Sequence, residues 1–599
     1  METYGIDIWS DDNFVIEDGV VKINYASKPA LISLVHEIRA EDYKGPLLLR
    51  FPHLIEKQID KLFNLYHNAI KEYDYNGSFN AVFPLKVNQL PNFLHPLIKS
   101  GEKYNYGLEA GSKAELFLAM TYNKIGAPIT VNGFKDKEML HLAFIAKKMG
   151  HDITVIIEGL NELETILEIE DETNLPTPNI GLRVRLFNSG SGAWAKSGGI
   201  DSKFGLSSTE ILEAFEMLEE RGLRDILTMI HFHIGSSMGT IKPLKNALKE
   251  SGHIYAELKN LGANNLNSIN IGGGLAVEYS QFQRTAQYDL QEFANDVVFT
   301  LKNIAKQKGV DQPNIFTESG RFISASSTVL IAPVLELFSA EYEAEHLRLK
   351  EDKNPPLIEE LRELYRDINS RTALEYMHDS IDHLESLLKL FDLGYIDLED
   401  RSNAEILTNL IIKKAIWLLE VDDFEELKRI DNKIQEKYLL NFSIFQSLPD
   451  FWGIKQEFPV MPITHLDKKP TRSASLWDIT CDSDGEIEFD EDKPLYLHDV
   501  DLKKEEYFLG FFHVGAYQDI LGMRHNLFSH PTEVNVVFEE NEVKLEKILE
   551  TQKIVDILED IDYDTKEIKS ILKKGLDKNT YSILKSYLDQ NSYLKTAWS

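Results

Sequence analysis

Between Phe79 and Arg321 the chain alternates eight short apolar runs with charged, amphipathic ones, and no other feature constrains the fold as tightly. The runs are "FNAVFPLK", "YNYGLEA", "PITVNG", "DITVIIEG", "NIGLRVRLF", "LTMIHFHIGS", "SINIGGG" and "NIFTESGR". Between them lie helical patterns such as "SKAELFLAMTY", "DKEMLHLAFIAKKMG" and "SSTEILEAFEMLEERG". These begin at Ser or Asp caps, and several end at Gly. Strands alternating with helices predict right-handed βαβ units and a parallel sheet. Eight units over roughly 250 residues is the length of a (β/α)8 barrel. An open doubly wound sheet is the competing architecture.

A chain of 599 residues exceeds one core and calls for two to four domains. The segment 1–50 carries "FVIEDGVVKINY", a strand-like texture that matches "GEIEFD", "YLHDVD", "YFLGFFHVGAYQ" and "EVNVVFEE" within 451–540. The two ends are therefore expected to build one β domain, with the barrel (51–340) inserted between them. From 341 to 450 glycine nearly vanishes and Leu recurs at helical spacing, which predicts an inserted helical bundle. The tail, 541–599, with "LEKILETQKIVDILEDIDYDTKEIKSILKKGL", reads as helical.

The net charge of −33 opposes a phosphate backbone and argues against nucleic-acid binding. No apolar run reaches membrane-spanning length, and the first residues lack the basic start and apolar stretch of a signal peptide. A single cysteine, Cys481, excludes an intrachain disulfide framework. A cytoplasmic setting is expected.

Functional side chains of a (β/α)8 barrel gather where strands end. Lys86 closes the first run, Glu109 the second, His233 the sixth, Gly272-Gly273-Gly274 the seventh, and Glu318 and Arg321 the eighth. The triple glycine could be only a tight turn. Next to Arg321, in the loops after strands seven and eight, it reads as a phosphate cradle. His231 and His233 are expected to divide, one lining the mouth and one facing the helices. No third ligand follows at zinc-site spacing. A lysine, a phosphate cradle and a carboxylate at one mouth match what pyridoxal phosphate requires. No GxGxxG or GxxxxGK[ST] pattern accompanies the glycines, so a nucleotide-binding module is disfavoured.

The motifs "FPLKVNQ", "HFHIGS", "IGGGLAVEY", "TESGR", "WDITCDSDG" and "HVGAYQD" resemble those of the biosynthetic arginine decarboxylases. These are pyridoxal-phosphate enzymes of the alanine-racemase-like fold, more distantly similar to ornithine and diaminopimelate decarboxylases. The resemblance covers nearly the whole chain, insert and tail included. "WDITCDSDG" and the loop "SGSGAWAKSGGIDSKFGL" carry it most specifically.

It implies Lys86 as the Schiff-base lysine, with His233 stacked on the cofactor ring and Glu318 at the ring nitrogen. Ser236, Gly272, Gly273, Gly274, Arg321 and Tyr517 would hold the phosphate. Glu109 takes the place of a carboxylate near the Schiff base, and Arg183 a supporting place beside the histidine. Cys481, as proton donor, and Asp482 would enter from a second subunit. A dimer is then the minimal unit, with a tetramer expected above it. Asp482 and Asp484 are the carboxylates available for a guanidinium.

The implied reaction converts L-arginine to agmatine and CO2 for polyamine and spermidine biosynthesis. The family also implies magnesium, with no ligands to name. The residue pattern alone leaves ornithine, lysine or diaminopimelate open as substrates, and also a non-catalytic cofactor-binding homologue. Two departures stand out: Ser326-Ser327 where many relatives carry paired histidines, and Phe83 where tyrosine is common.

Overall fold

The computed structural model describes residues 4–41, 43, 45–187, 205–338, 343–351, 353–419, 435–490 and 492–595. Most of the loop "SGSGAWAKSGGIDSKFGL" therefore lies outside the described residues.

Each of the eight apolar runs forms a strand: β1 (Phe79–Pro84), β2 (Gly107–Ala110), β3 (Pro128–Val131), β4 (Asp152–Ile157), β5 (Asn179–Arg183), β6 (Leu227–His231), β7 (Ser268–Asn270) and β8 (Asn314–Thr317). All neighbours are parallel, and β8 pairs with β1 from Ile315↔Phe79 to Thr317↔Ala81, which closes the barrel. Closure eliminates the open doubly wound sheet. The strands are short and apolar because side chains on one face fill the barrel and those on the other pack under helices; all four residues of β3 are buried. Ser112, Asp136, Ser207 and Asp289 each accept a backbone N–H at a helix start, as their positions before apolar-periodic segments predict.

The chain's two ends do meet in one sheet. Leu47–Arg50 lies between Thr328–Phe338, antiparallel, and Thr532–Glu539, parallel. Thr328–Phe338 also pairs with Phe508–Phe511 and Glu436–Leu440. Four expectations need correction. Thr328–Phe338 belongs to this sheet and not to the barrel, and Glu436–Leu440 belongs to it and not to the helical insert. The hairpin Phe14–Glu17/Val20–Ile23 forms a small sheet of its own. The tail starts as a strand, Glu542–Leu549, because Val543 and Leu545 alternate opposite Phe538 and Val536. Helices follow only at Ile554–Asp560, Thr565–Lys573 and Lys578–Leu588.

The insert contains the helices Pro356–Asp367, Ala373–Asp392 and Leu398–Leu418. Ile358, Leu361, Met377, Leu407 and Ile411 give it a core separate from the main one. Among the described residues no helix is long and apolar enough to cross a membrane.

A buried ionic knot ties the sheet together. Arg50, 3% exposed, donates from Nε to Glu533 Oε2 at 2.8 Å and from Nη2 to Asp519 Oδ2 at 2.9 Å. Removing the guanidinium leaves two buried carboxylates without their cation. Arg50→Ala should therefore cost about 3–5 kcal/mol, read as a lower denaturant midpoint in equilibrium unfolding.

Candidate active site

One cavity at the C-terminal ends of the strands is lined by Lys86, His233, Ser236, Gly273, Gly274, Glu318, Arg321 and Tyr517. Lys86 sits on a single 3-10 turn, Leu85–Val87, directly after β1. Its Nζ lies 3.6 Å from Oε1 of Glu109, which is buried on β2. Burial pushes the Glu109 carboxyl up to about 7, against the opposing pull of Lys86. The Glu109 charge in turn holds the Lys86 amine above its ordinary value, with burial working the other way.

Glu318 follows β8, and its Oε1 lies 2.9 Å from His231 Nε2 and accepts from Asn132 Nδ2 at 3.1 Å. Burial alone would raise this carboxyl. The His231 contact and the nearby Lys86 charge outweigh it and hold the group well below the usual carboxylate range. It stays an anion at any physiological pH.

Both histidines face the interior: His231 meets Glu318, and His233 lines the cavity with Nδ1 accepting from Gly273 N at 3.4 Å. The expectation that they divide between mouth and helices is overturned. Residues two apart along a strand project to the same side. Burial pulls His233 down to about 3, so its ring is neutral, which suits stacking better than charge pairing.

Two of the three glycines, Gly272 and Gly274, are required by backbone conformation, and Gly272 by space as well. Gly272 (φ +68°) and Gly274 (φ +112°) have left-handed backbones. A Cβ on Gly272 would lie 2.7 Å from His233 Nδ1, and one on Gly274 would lie 2.6 Å from Met238 Cε. Gly272 backs the cavity, its carbonyl accepting from Glu318 N at 2.8 Å. Arg321 completes the cradle, donating to Ser236 Oγ and Tyr279 Oη at 3.3 Å each, with its guanidinium 4.7 Å from the Tyr517 ring centroid.

Tyr517 comes from the sheet domain, and its N–H donates to Val87 O at 2.9 Å. Asn88 Nδ2 donates to Gly515 O and Asp519 Oδ2, both at 3.1 Å. The lysine turn and the "GAYQD" turn are thus bolted together, and Asp519 is itself held by Arg50. Tyr517 has φ +68° and Ser319 φ +40°, non-glycine residues in the left-handed region beside the cavity. The Ser326-Ser327 departure is satisfied locally: Ser327 Oγ donates to Ser324 O at 2.7 Å and Ser326 Oγ accepts from Gln58.

Of the remaining expected residues, Arg183 stands close enough for its charge to act on Lys86 and His233, whereas Cys481, Asp482 and Asp484 do not line the cavity of their own chain. Arg183 ends β5 and sets Nη1 3.2 Å from Glu158 Oε1, outside the cavity lining. Cys481 is exposed, its N–H donating to Asn526 Oδ1 at 3.3 Å and its Sγ accepting from Asn526 Nδ2 at 3.4 Å. Asp482 Oδ2 lies 3.3 Å from His525 Nε2, and Asp484 accepts from Trp452 Nε1 at 3.1 Å. Sequence reasoning did not single out Asn132, Tyr279, Asn88 or Asn526; Asn88 and Tyr279 lie within the motifs "FPLKVNQ" and "IGGGLAVEY", but an amide or a phenol there announces no chemistry of its own.

An amine, a permanently charged carboxylate and a glycine cradle with one arginine fit a phosphorylated aromatic aldehyde. Among the described residues no group of three or more His, Cys, Asp or Glu is placed to hold a metal ion.

This arrangement defines a pyridoxal-dependent decarboxylase of the (β/α)8 class. Residues 56–325 match the family described as pyridoxal-dependent decarboxylase, pyridoxal binding domain, and residues 351–429 match the arginine decarboxylase helical bundle domain. The chain is 39% identical over 596 residues to the biosynthetic arginine decarboxylase of Bacteroides thetaiotaomicron, covering 96% of this chain and 94% of that one. It superposes on the crystal structure of the biosynthetic arginine decarboxylase from Campylobacter jejuni with a TM-score of 0.93 and 58% identity, over 100% of this chain and 98% of that one. The chain belongs to the biosynthetic arginine decarboxylase family. With diaminopimelate decarboxylase from M. jannaschii it shares the fold alone, at a TM-score of 0.60 and 18% identity over 93% of this chain and 99% of that one.

An amine must be neutral to attack an aldehyde, and Glu109 keeps Lys86 protonated to higher pH. In Glu109→Gln the Lys86 amine should react with an added aldehyde at lower pH, scored by borohydride trapping with pyridoxal phosphate across a pH series.

Proposed function

We propose that this chain decarboxylates L-arginine to agmatine and CO2, with pyridoxal phosphate attached at Lys86, in service of polyamine and spermidine biosynthesis. The observation that carries this reading is the family's coverage of the whole chain, helical insert included, around a cavity holding both Lys86 and the ionised Glu318. When bound, pyridoxal phosphate supplies the electron sink for the carbon that loses CO2.

Lys86 would hold the aldehyde carbon, and the backbone N–H groups around Gly272–Gly274, with Ser236, Arg321 and Tyr517, would hold the phosphate. The neutral His233 ring would pack on one face of the cofactor. Glu318 would keep the ring nitrogen protonated, because an adjacent anion favours the charged form. Glu109, with its carboxyl near 7 and 3.6 Å from Lys86 Nζ, is suited to exchange a proton with that amine.

Cys481 of the partner subunit would return a proton to the carbon that has lost CO2. Support for this comes from its exposure and its absence from the cavity of its own chain. Asp482 and Asp484 of the partner subunit would then meet the guanidinium, whose planar fork favours carboxylates. A dimer is the minimal unit on this reading, with a tetramer as its symmetric extension. The lone exposed thiol fits a reducing, cytoplasmic setting.

Incubation with arginine, ornithine, lysine and diaminopimelate should yield product from arginine alone; absence of agmatine would sink the assignment. Cys481→Ala should keep the cofactor's absorbance and lose activity by about 10²–10⁴-fold. Lys86→Ala should lose both absorbance and activity. Mixing these two inactive variants should restore turnover if sites are shared between subunits, and inactive mixtures would refute the sharing.

A further inference from the structure

Asp450 is a buried carboxylate that no motif singled out, and it faces Arg321, the arginine of the cradle. Its Oδ2 lies 3.6 Å from Arg321 Nη1, and both side chains are under a tenth exposed. The carboxylate is held from the far side: Gln518 Nε2 donates to Oδ2 at 3.0 Å, while Gln518 Oε1 accepts from Asp450 N at 3.1 Å. Gln518 directly follows Tyr517, so the turn that delivers the tyrosine also fixes the acid. Asp450 does not line the cavity; Arg321 does. The other polar partners of Arg321, Ser236 and Tyr279, carry hydroxyls. Asp450 is thus the anion that partners this guanidinium from behind.

A phosphate group entering the cradle therefore meets an arginine whose charge is already matched. It also feels the repulsion of a fixed carboxylate behind that arginine, with little water between to screen it. We propose that Asp450 weakens the cradle's hold on phosphate, so that retention of the cofactor depends on the bond to Lys86. The consequence is selectivity. Inorganic phosphate and simple phosphate esters present the same anion as the cofactor but lack an aldehyde for Lys86. A fully charged arginine would hold them as competitors, whereas the neutralised pair leaves discrimination to the lysine. The inference rests on Arg321 being a phosphate ligand, and the experiment separates the two claims.

The measurement is the affinity of inorganic phosphate, and separately of pyridoxal phosphate, for the full-length Lys86→Ala protein by titration calorimetry. Adding Asp450→Asn keeps an acceptor for Gln518 and removes the charge; it should tighten phosphate binding on the order of tenfold. Adding Asp450→Glu keeps the charge and should leave affinity close to that of the parent. Adding Arg321→Ala should weaken it. If Arg321→Ala weakens binding while Asp450→Asn leaves it unchanged or weaker, the Asp450 inference falls and the phosphate assignment stands. If Arg321→Ala has no effect, the phosphate assignment itself falls. Should Asp450→Asn fail to fold by circular dichroism, Asp450→Ser makes the same charge deletion and is judged by the same outcome.

Discussion

The structure depends on how two turns from distant parts of the chain are held against each other. Asn88, two residues past the lysine, and Tyr517 N–H form three hydrogen bonds across the junction between barrel and sheet. Behind them Asp519 is clamped by Arg50, which also binds Glu533. A barrel alone would leave Lys86 at a free strand end. The sheet turns that end into a defined position, and the same turn presents Tyr517 to Arg321. A buried ion pair rarely adds much net stability over an apolar packing, but breaking one is costly. That asymmetry makes the knot a device for geometry, since alternatives that separate the turns leave charges buried and unmatched.

In and around the cavity, three acids near cations have three different fates, and environment decides each. Glu109, with Lys86 as its partner, is pushed towards neutrality by burial. Glu318, equally buried, is kept ionised by His231, Lys86 and its amide neighbours. Asp450 stands outside the cavity and spends its charge on Arg321. One is thus poised to exchange a proton, one is a permanent anion, and one is a counter-ion. Residue type distinguishes none of these roles.

Much of this was legible beforehand. The eight strands and their order follow from apolar runs punctuated by caps and glycines, because both signals are local. The strand-end position of Lys86, Glu109, Glu318 and the triple glycine follows once those runs are read as a barrel. The errors have physical causes too. Thr328–Phe338 and Glu436–Leu440 are apolar strands whose sheet membership depends on partners far away in the chain. Glu542–Leu549 alternates at period two inside a charged, Leu-containing stretch that also suits a helix. The expectation that His231 and His233 divide runs against strand alternation, since residues two apart share a side and the spacing already carries that information.

What the sequence determined by itself is the set of local units and the chemistry each could carry: strand, cap, turn, amine, acid, thiol. These depend on neighbours within a few residues, and periodicity exposes them. Which units meet was decided only in three dimensions. Arg50 finds partners 469 and 483 residues away, and Lys86 finds Glu109 across neighbouring strands. Such contacts leave no periodic trace, because they are selected by barrel closure and by the packing of sheet against barrel. The charge state of each acid follows from that packing.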